Sequence, residues 1–142
     1  MHHHLTCLLG LLMLATHLRA QVTEHSFMHF GKRDGLVAND ATAVTQDDKG
    51  FVWIGGMNGL QRYDGARFVT FQNQAGKDQP IPVNHILQLL MDKRNRLWIS
   101  FAGEKLGIFD TRKYQIREVT VDAHKATLMA GKKLIEDLDG NI

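Results

Sequence analysis

The sequence predicts an all-β protein made of β-propeller blades, four-stranded antiparallel repeats of about 45 residues. Three observations predict it. The stretch from Gly50 to Gly65, G-F-V-W-I-G-G-M-N-G-L-Q-R-Y-D-G, sets short aromatic and branched runs between turn dipeptides. Trp53 and Trp98 lie 45 residues apart, and Asp47, Asp92 and Asp137 recur at the same spacing. Both prolines, Pro80 and Pro82, fall between the two copies, where they stiffen a connection and stay out of the strand ladders.

The chain opens with a leader. Leu5 to Ala15 is almost wholly apolar, too short to span a bilayer comfortably but suited to the core of a secretory signal peptide. Small Ala20 sets the expected cut between Ala20 and Gln21, although His2, His3 and His4 stand where Lys or Arg is usual. Cys7, the single cysteine of the 142 residues, lies in this leader. The mature chain would then have no disulfide and no thiol chemistry, which suits a periplasm. Residues 21–39 are read as an N-terminal strand, at Ser26 to Phe30, and a loop with a turn at Asp34-Gly35.

Residues 40–83 form the first repeat with its crossing. Its strands are expected at Ala43 to Gln46, Phe51 to Ile54, Leu60 to Tyr63 and Arg67 to Phe71, with type I′ turns at Asn58-Gly59 and Asp64-Gly65. Gln72 to Val83 crosses to the second repeat, residues 84–133. There the strand signals are His85 to Met91, Arg96 to Phe101, Leu106 to Phe109 and Tyr114 to Val121. One extra residue aligns Tyr63-Asp64 with Phe109-Asp110 and Phe68 with Tyr114. Residues 134–142 open a third repeat, whose tryptophan would fall just after Ile142. A ring needs about 4–8 blades, so the chain reads as the N-terminal part of a longer protein. Blades pack on both neighbours, so Trp53, Ile54, Tyr63, Trp98, Ile99 and Phe109 are the expected repeat core.

The chemistry is sparse. Seventeen basic residues against 15 acidic ones give no clustered nucleic-acid footprint. The acidic turns at Asp47-Asp48 and Asp137 to Asn141 invite a calcium reading, but Ile135 breaks the ligand alternation that an EF-hand loop needs. His25, His29, His85 and His124 match no zinc spacing. Gly55, Gly56 and Gly59 precede no helix, so they make no phosphate loop. No catalytic residue, cofactor or metal ligand is assigned, and the ligand-binding residues are unknown. If a site exists, its expected place is in the turns and crossings, such as Gln72 to Val83, rather than in the tryptophan strands.

Asp34-Gly35-Leu36, then Gln46-Asp47-Asp48-Lys49-Gly50-Phe51-Val52-Trp53-Ile54-Gly55-Gly56, then Asn58-Gly59-Leu60-Gln61-Arg62-Tyr63-Asp64-Gly65, closely resembles the two-component regulator propeller repeat. The second copy departs from that pattern: Asn95 replaces the turn glycine, Ser100-Phe101 the Gly-Thr pair, and Phe109-Asp110-Thr111 the Tyr-Asp-Gly. The resemblance implies the periplasmic sensor region of a signalling protein anchored in the inner membrane. It implies a small-molecule or oligosaccharide ligand. It also implies partners within the parent chain, namely the remaining blades and an output domain, histidine kinase or diguanylate cyclase, and a homodimeric parent. None of the output residues lie in this chain. The competing reading is an exported carbohydrate-active or scaffold propeller without an output domain; fold does not by itself choose between them.

Overall fold

The computed structural model describes residues 26–74, 80–120 and 133–142. The leader, the cut between Ala20 and Gln21 and nearly all of the second crossing lie outside the described residues. Eight strands form two four-stranded sheets. The first holds β1 (Ala43–Gln46), β2 (Val52–Gly56), β3 (Gly59–Tyr63) and β4 (Phe68–Phe71). The second holds β5 (Ile86–Met91), β6 (Leu97–Phe101), β7 (Lys105–Asp110) and β8 (Gln115–Val119). Each sheet is an antiparallel meander in chain order. The expected fold class is therefore observed: all-β, in four-stranded antiparallel repeats.

The sheets stack face to face, β1 and β2 against β5. Gly55 makes the approach close, because a Cβ there would sit 2.5 Å from Cγ2 of Ile86. Between the sheets lies an aromatic cluster. The Trp53 ring is 6.0 Å from that of Phe71 and 5.7 Å from that of Phe109, and Phe71 and Phe109 are 5.3 Å apart. Ile81, Ile86, Leu97 and Ile99 close it and are fully buried. Trp53 leaves no surface exposed, so its indole contributes the largest apolar payload at this interface.

The six expected core residues divide by face. Trp53, Ile99 and Phe109 are buried, whereas Ile54, Tyr63 and Trp98 are half-buried. Trp98 occupies the position of Trp53 one repeat later, but among the described residues no sheet follows it. The segment 133–142 lies beside β5, with Leu134 buried and its N–H donating to Gln88 Oε1 at 2.6 Å. Tyr63 occupies the position of Phe109 but faces away from the second sheet. It stacks on Phe68 at 4.6 Å and meets Phe30 at 5.1 Å.

Several expectations are corrected. Residues 26–30 form no strand; Phe27 and Met28 are exposed, and only the Phe30 ring packs down. Lys32–Asp34 is a short 3-10 turn closed by Gly35 at φ 106°. Neither hairpin is type I′, because Asn58 and Asp64 keep negative φ. Gly59 (φ 115°) and Gly65 (φ 95°) alone of those dipeptides are left-handed. The first loop is Met57-Asn58. At the second, the Asp64 carboxylate accepts from the N–H groups of Ala66 and Arg67 and sets the turn itself.

The alignment of Phe68 with Tyr114 also fails. Tyr63 pairs with Phe68, whereas Phe109 pairs with Ile116 and Asp110 with Gln115, so the second hairpin is two residues longer, which adds one ladder pair and leaves four turn residues in each. Ile116 takes the place of Phe68, and Tyr114 is expelled from the strand into the turn. Its φ is 56°, a left-handed conformation that a bulky residue seldom adopts.

Candidate functional site

The strand order puts the turns 47–51, 64–67, 92–96 and 110–114 at one end of the two sheets. The turns 57–58 and 102–104 and the 72–85 crossing lie at the other. At the crossing end the chain is tied to itself. The Asn73 N–H donates to Asn84 Oδ1 at 2.6 Å, and Asn73 Nδ2 donates to the Pro82 carbonyl at 2.6 Å. Asn84 Nδ2 returns a bond to the Asn73 carbonyl, and Ile81 is buried in the core. The described part of the crossing expected to hold a ligand is thus largely occupied with holding its own shape.

The other end is organised by the recurring aspartate. Asp47 Oδ1 accepts from the N–H groups of Lys49 and Phe51, and Oδ2 accepts from Trp53 Nε1 at 2.9 Å. Asp92 repeats the arrangement with Arg94, Arg96 and Trp98 Nε1, and adds the Arg96 Nε at 2.6 Å. Asp137 holds the same turn through the N–H groups of Asp139 and Asn141. Each carboxylate therefore folds its turn, and Asp47 and Asp92 also anchor the tryptophan of the next strand, while the second oxygen of Asp137 accepts from Asn141 Nδ2. Their acceptors are filled by protein donors, which accounts for the acidic turns without a cation. Among the described residues no group of three His, Cys, Asp or Glu side chains could hold a metal ion.

Burial on its own pushes the Asp92 carboxyl up, but the Trp98 indole and the amide and guanidinium of Arg96 outweigh it and hold it below the usual value. A depressed folded value contributes stability that is present above the unfolded value, about pH 3.9, and lost as pH falls through the folded one. The stability difference between wild type and Asp92→Asn should therefore shrink steadily as pH falls from about 6 to about 2. Urea midpoints measured across that range check it; a difference that stays constant would show that the Asp92 charge contributes nothing.

Neighbouring repeats are stapled at this end. The Asp48 N–H donates to Asn95 Oδ1 at 3.2 Å, and Asn95 Nδ2 donates to Asp48 Oδ1 at 2.7 Å. One repeat later the Lys93 N–H donates to Glu136 Oε2 at 3.0 Å, and Lys93 Nζ reaches the Asp137 carbonyl at 2.9 Å. Asn95, which stands in place of the expected turn glycine, takes that conformation (φ 56°) and supplies the bridging amide as well.

Between the staple and Tyr114 lies a cleft of about 270 Å³, lined by Asp47, Lys49, Phe51, Arg62, Asn95, Thr111, Arg112 and Tyr114. The Arg62 guanidinium lies 4.5 Å from the centre of the Phe51 ring and 5.6 Å from that of Tyr114. Its Nη1 donates to the Tyr114 hydroxyl at 2.6 Å, while its buried Nε has no hydrogen-bond partner. The cleft adjoins a wider one of about 600 Å³ edged by Arg94, Lys113 and Arg117. The sequence placed a site in turns or crossings but not this pairing, because Arg62 and Tyr114 are 52 residues apart and meet only in the folded chain.

No protein-family model matches the chain. Over 60 residues it is 35% identical to histidine kinase P4 of Formosa agariphila, a match covering 42% of this chain and 4% of that protein. Its fold is similar to the extracellular domains of two proteins from B. thetaiotaomicron described as hybrid two-component systems. For BT3049 the TM-score is 0.59 at 24% identity, over 70% of this chain and 14% of that one. For BT4673 it is 0.53 at 27% identity, again over 70% and 14%. The chain thus spans a small fraction of the length of each protein that it resembles.

Proposed function

We propose that this chain contributes consecutive blades to a periplasmic, ligand-sensing β-propeller at the N-terminal side of a transmembrane two-component signalling protein, and that it performs no catalysis itself. The observation that carries this reading is the repeated sheet: two four-stranded meanders of the same sequence period stack face to face, and each carries the aspartate–tryptophan anchor. A unit that buries its face only against its successor belongs to a longer array. The likeness to extracellular domains of two-component systems, and the sequence match to a histidine kinase, support a signalling parent. The leader supports export.

The ligand is a small molecule or an oligosaccharide, and it can move a signal only through different affinity for two states of the sensor. The test uses the full-length gene product. Deleting the repeat region should abolish ligand-dependent output while the output domain stays folded. A response that survives the deletion unchanged would sink the sensing role.

A further inference from the structure

We propose that the cleft between the two repeats at the aspartate-turn end binds an oxyanion, a carboxylate, sulfate ester or phosphate group, through Arg62, Arg112 and Lys49. The inference goes beyond the sensing role and does not depend on it.

The charge balance of the cleft is the first ground. The ion pairs among the described residues are Arg67 with Asp64 and Arg96 with Asp92. Lys49, Arg62 and Arg112 form no salt bridge there, although the charge of Arg112 acts on the nearby Asp110. The acidic side chains nearby are already engaged. Asp47 accepts from two backbone N–H groups and an indole, Asp48 from Asn95, and Asp110 from the N–H groups of Arg112 and Lys113. Those two N–H groups, the Lys113 one first, hold the Asp110 carboxyl below its usual value, so it stays an anion committed to its own turn. Three cationic side chains against one hydrogen-bonded carboxylate, Asp47, leave the cleft lining net positive.

Arg62 is the second ground. A half-buried guanidinium offers five donors in a planar fork, yet its neighbours supply one hydroxyl acceptor and the faces of two rings. Ring faces attract the cation but accept few of its hydrogen bonds. A planar fork beside two rings is suited to bidentate capture of an oxyanion, and among the described residues no carboxylate provides one here.

Tyr114 is the third. In the longer second hairpin Tyr114 takes a left-handed conformation, where its ring packs 5.0 Å from that of Phe71 and its hydroxyl accepts from Arg62. Such strain persists only where the surroundings hold it and is concentrated at binding sites. In the first sheet Phe68 stays in its strand, so this pocket is built by the departure from the repeat.

The experiment is calorimetric titration of the full chain with sodium sulfate, sodium phosphate and sodium acetate in separate arms, each against sodium chloride at matched ionic strength. At least one oxyanion should bind saturably. Saturation by sulfate or phosphate alone assigns a tetrahedral dianion, and saturation by acetate assigns a carboxylate. Arg62→Met should weaken binding by about tenfold or more, the loss expected for one charge-assisted hydrogen bond. Arg62→Lys should restore only part of it, because an ammonium cannot chelate in two places. Arg112→Gln, at an exposed position where folding is not at risk, should also weaken binding severalfold. Heats that match chloride in every arm, or binding that Arg112→Gln and Arg62→Met leave unchanged, would overturn the proposal. Because binding is read directly, its failure is distinct from a loss of signalling output.

Discussion

Replacing Trp53 with alanine lowers the stability of the full chain by about 3–5 kcal/mol, the range for removing a large buried aromatic from a packed core. The indole is wholly buried between the two sheets, contacts Phe71 and Phe109, and donates to Asp47. No small neighbour can fill the space, since Phe71 and Phe109 are themselves held by strand pairing to Leu60 and Ile116. Denaturant melts should show a lower midpoint with a nearly unchanged slope. The equivalent change Trp98→Ala should cost less in the described contacts, because that ring is half-buried and partly covered by the Arg96 guanidinium at 5.3 Å. Equal losses at both positions would mean that burial does not govern the cost.

Asp47→Ala has the next largest effect, about 2–4 kcal/mol, because it strands a buried indole N–H and two turn amides at once. Asp47→Asn is the sharper variant. An asparagine has one oxygen, which can serve the amides of Lys49 and Phe51 or the indole of Trp53, but not both sets. Its NH₂ would then oppose a donor. The asparagine variant should therefore recover only part of the loss. In the Trp53→Phe background, which has no indole N–H, the penalty of Asp47→Asn should fall. A double-mutant cycle reads that coupling directly. If the two substitutions simply add, the carboxylate acts on the turn alone and the anchor to tryptophan has no energetic weight.

The same aspartates mark where sequence reasoning reached and where it stopped. Their 45-residue recurrence and the turn chemistry of Asp-x-x-Gly were visible in the order of residues. That one oxygen would fold the turn while the other held a tryptophan six residues on was not, because it depends on the direction in which β2 leaves the turn. The hairpins show the limit at shorter range. Asn-Gly and Asp-Gly signalled turns correctly, yet loop length and side-chain acceptors, as at Asp64, selected conformations other than type I′.

Composition, period and turn residues were enough to determine an all-β chain, two four-stranded meanders, the positions of six of their eight strands to within about a residue and the identity of the aromatic strand at each centre. These are local properties, set by alternation and by residues that turn the backbone. Packing decided the rest. Whether an equivalent residue is buried depends on whether a sheet covers its face, which separates Trp53 from Trp98 and Phe109 from Tyr63. A second hairpin longer by one ladder pair left Tyr114 in the turn and against Arg62, and so shaped the cleft between the repeats. Contacts of that kind join residues far apart in the chain, and no local pattern encodes which of them will meet.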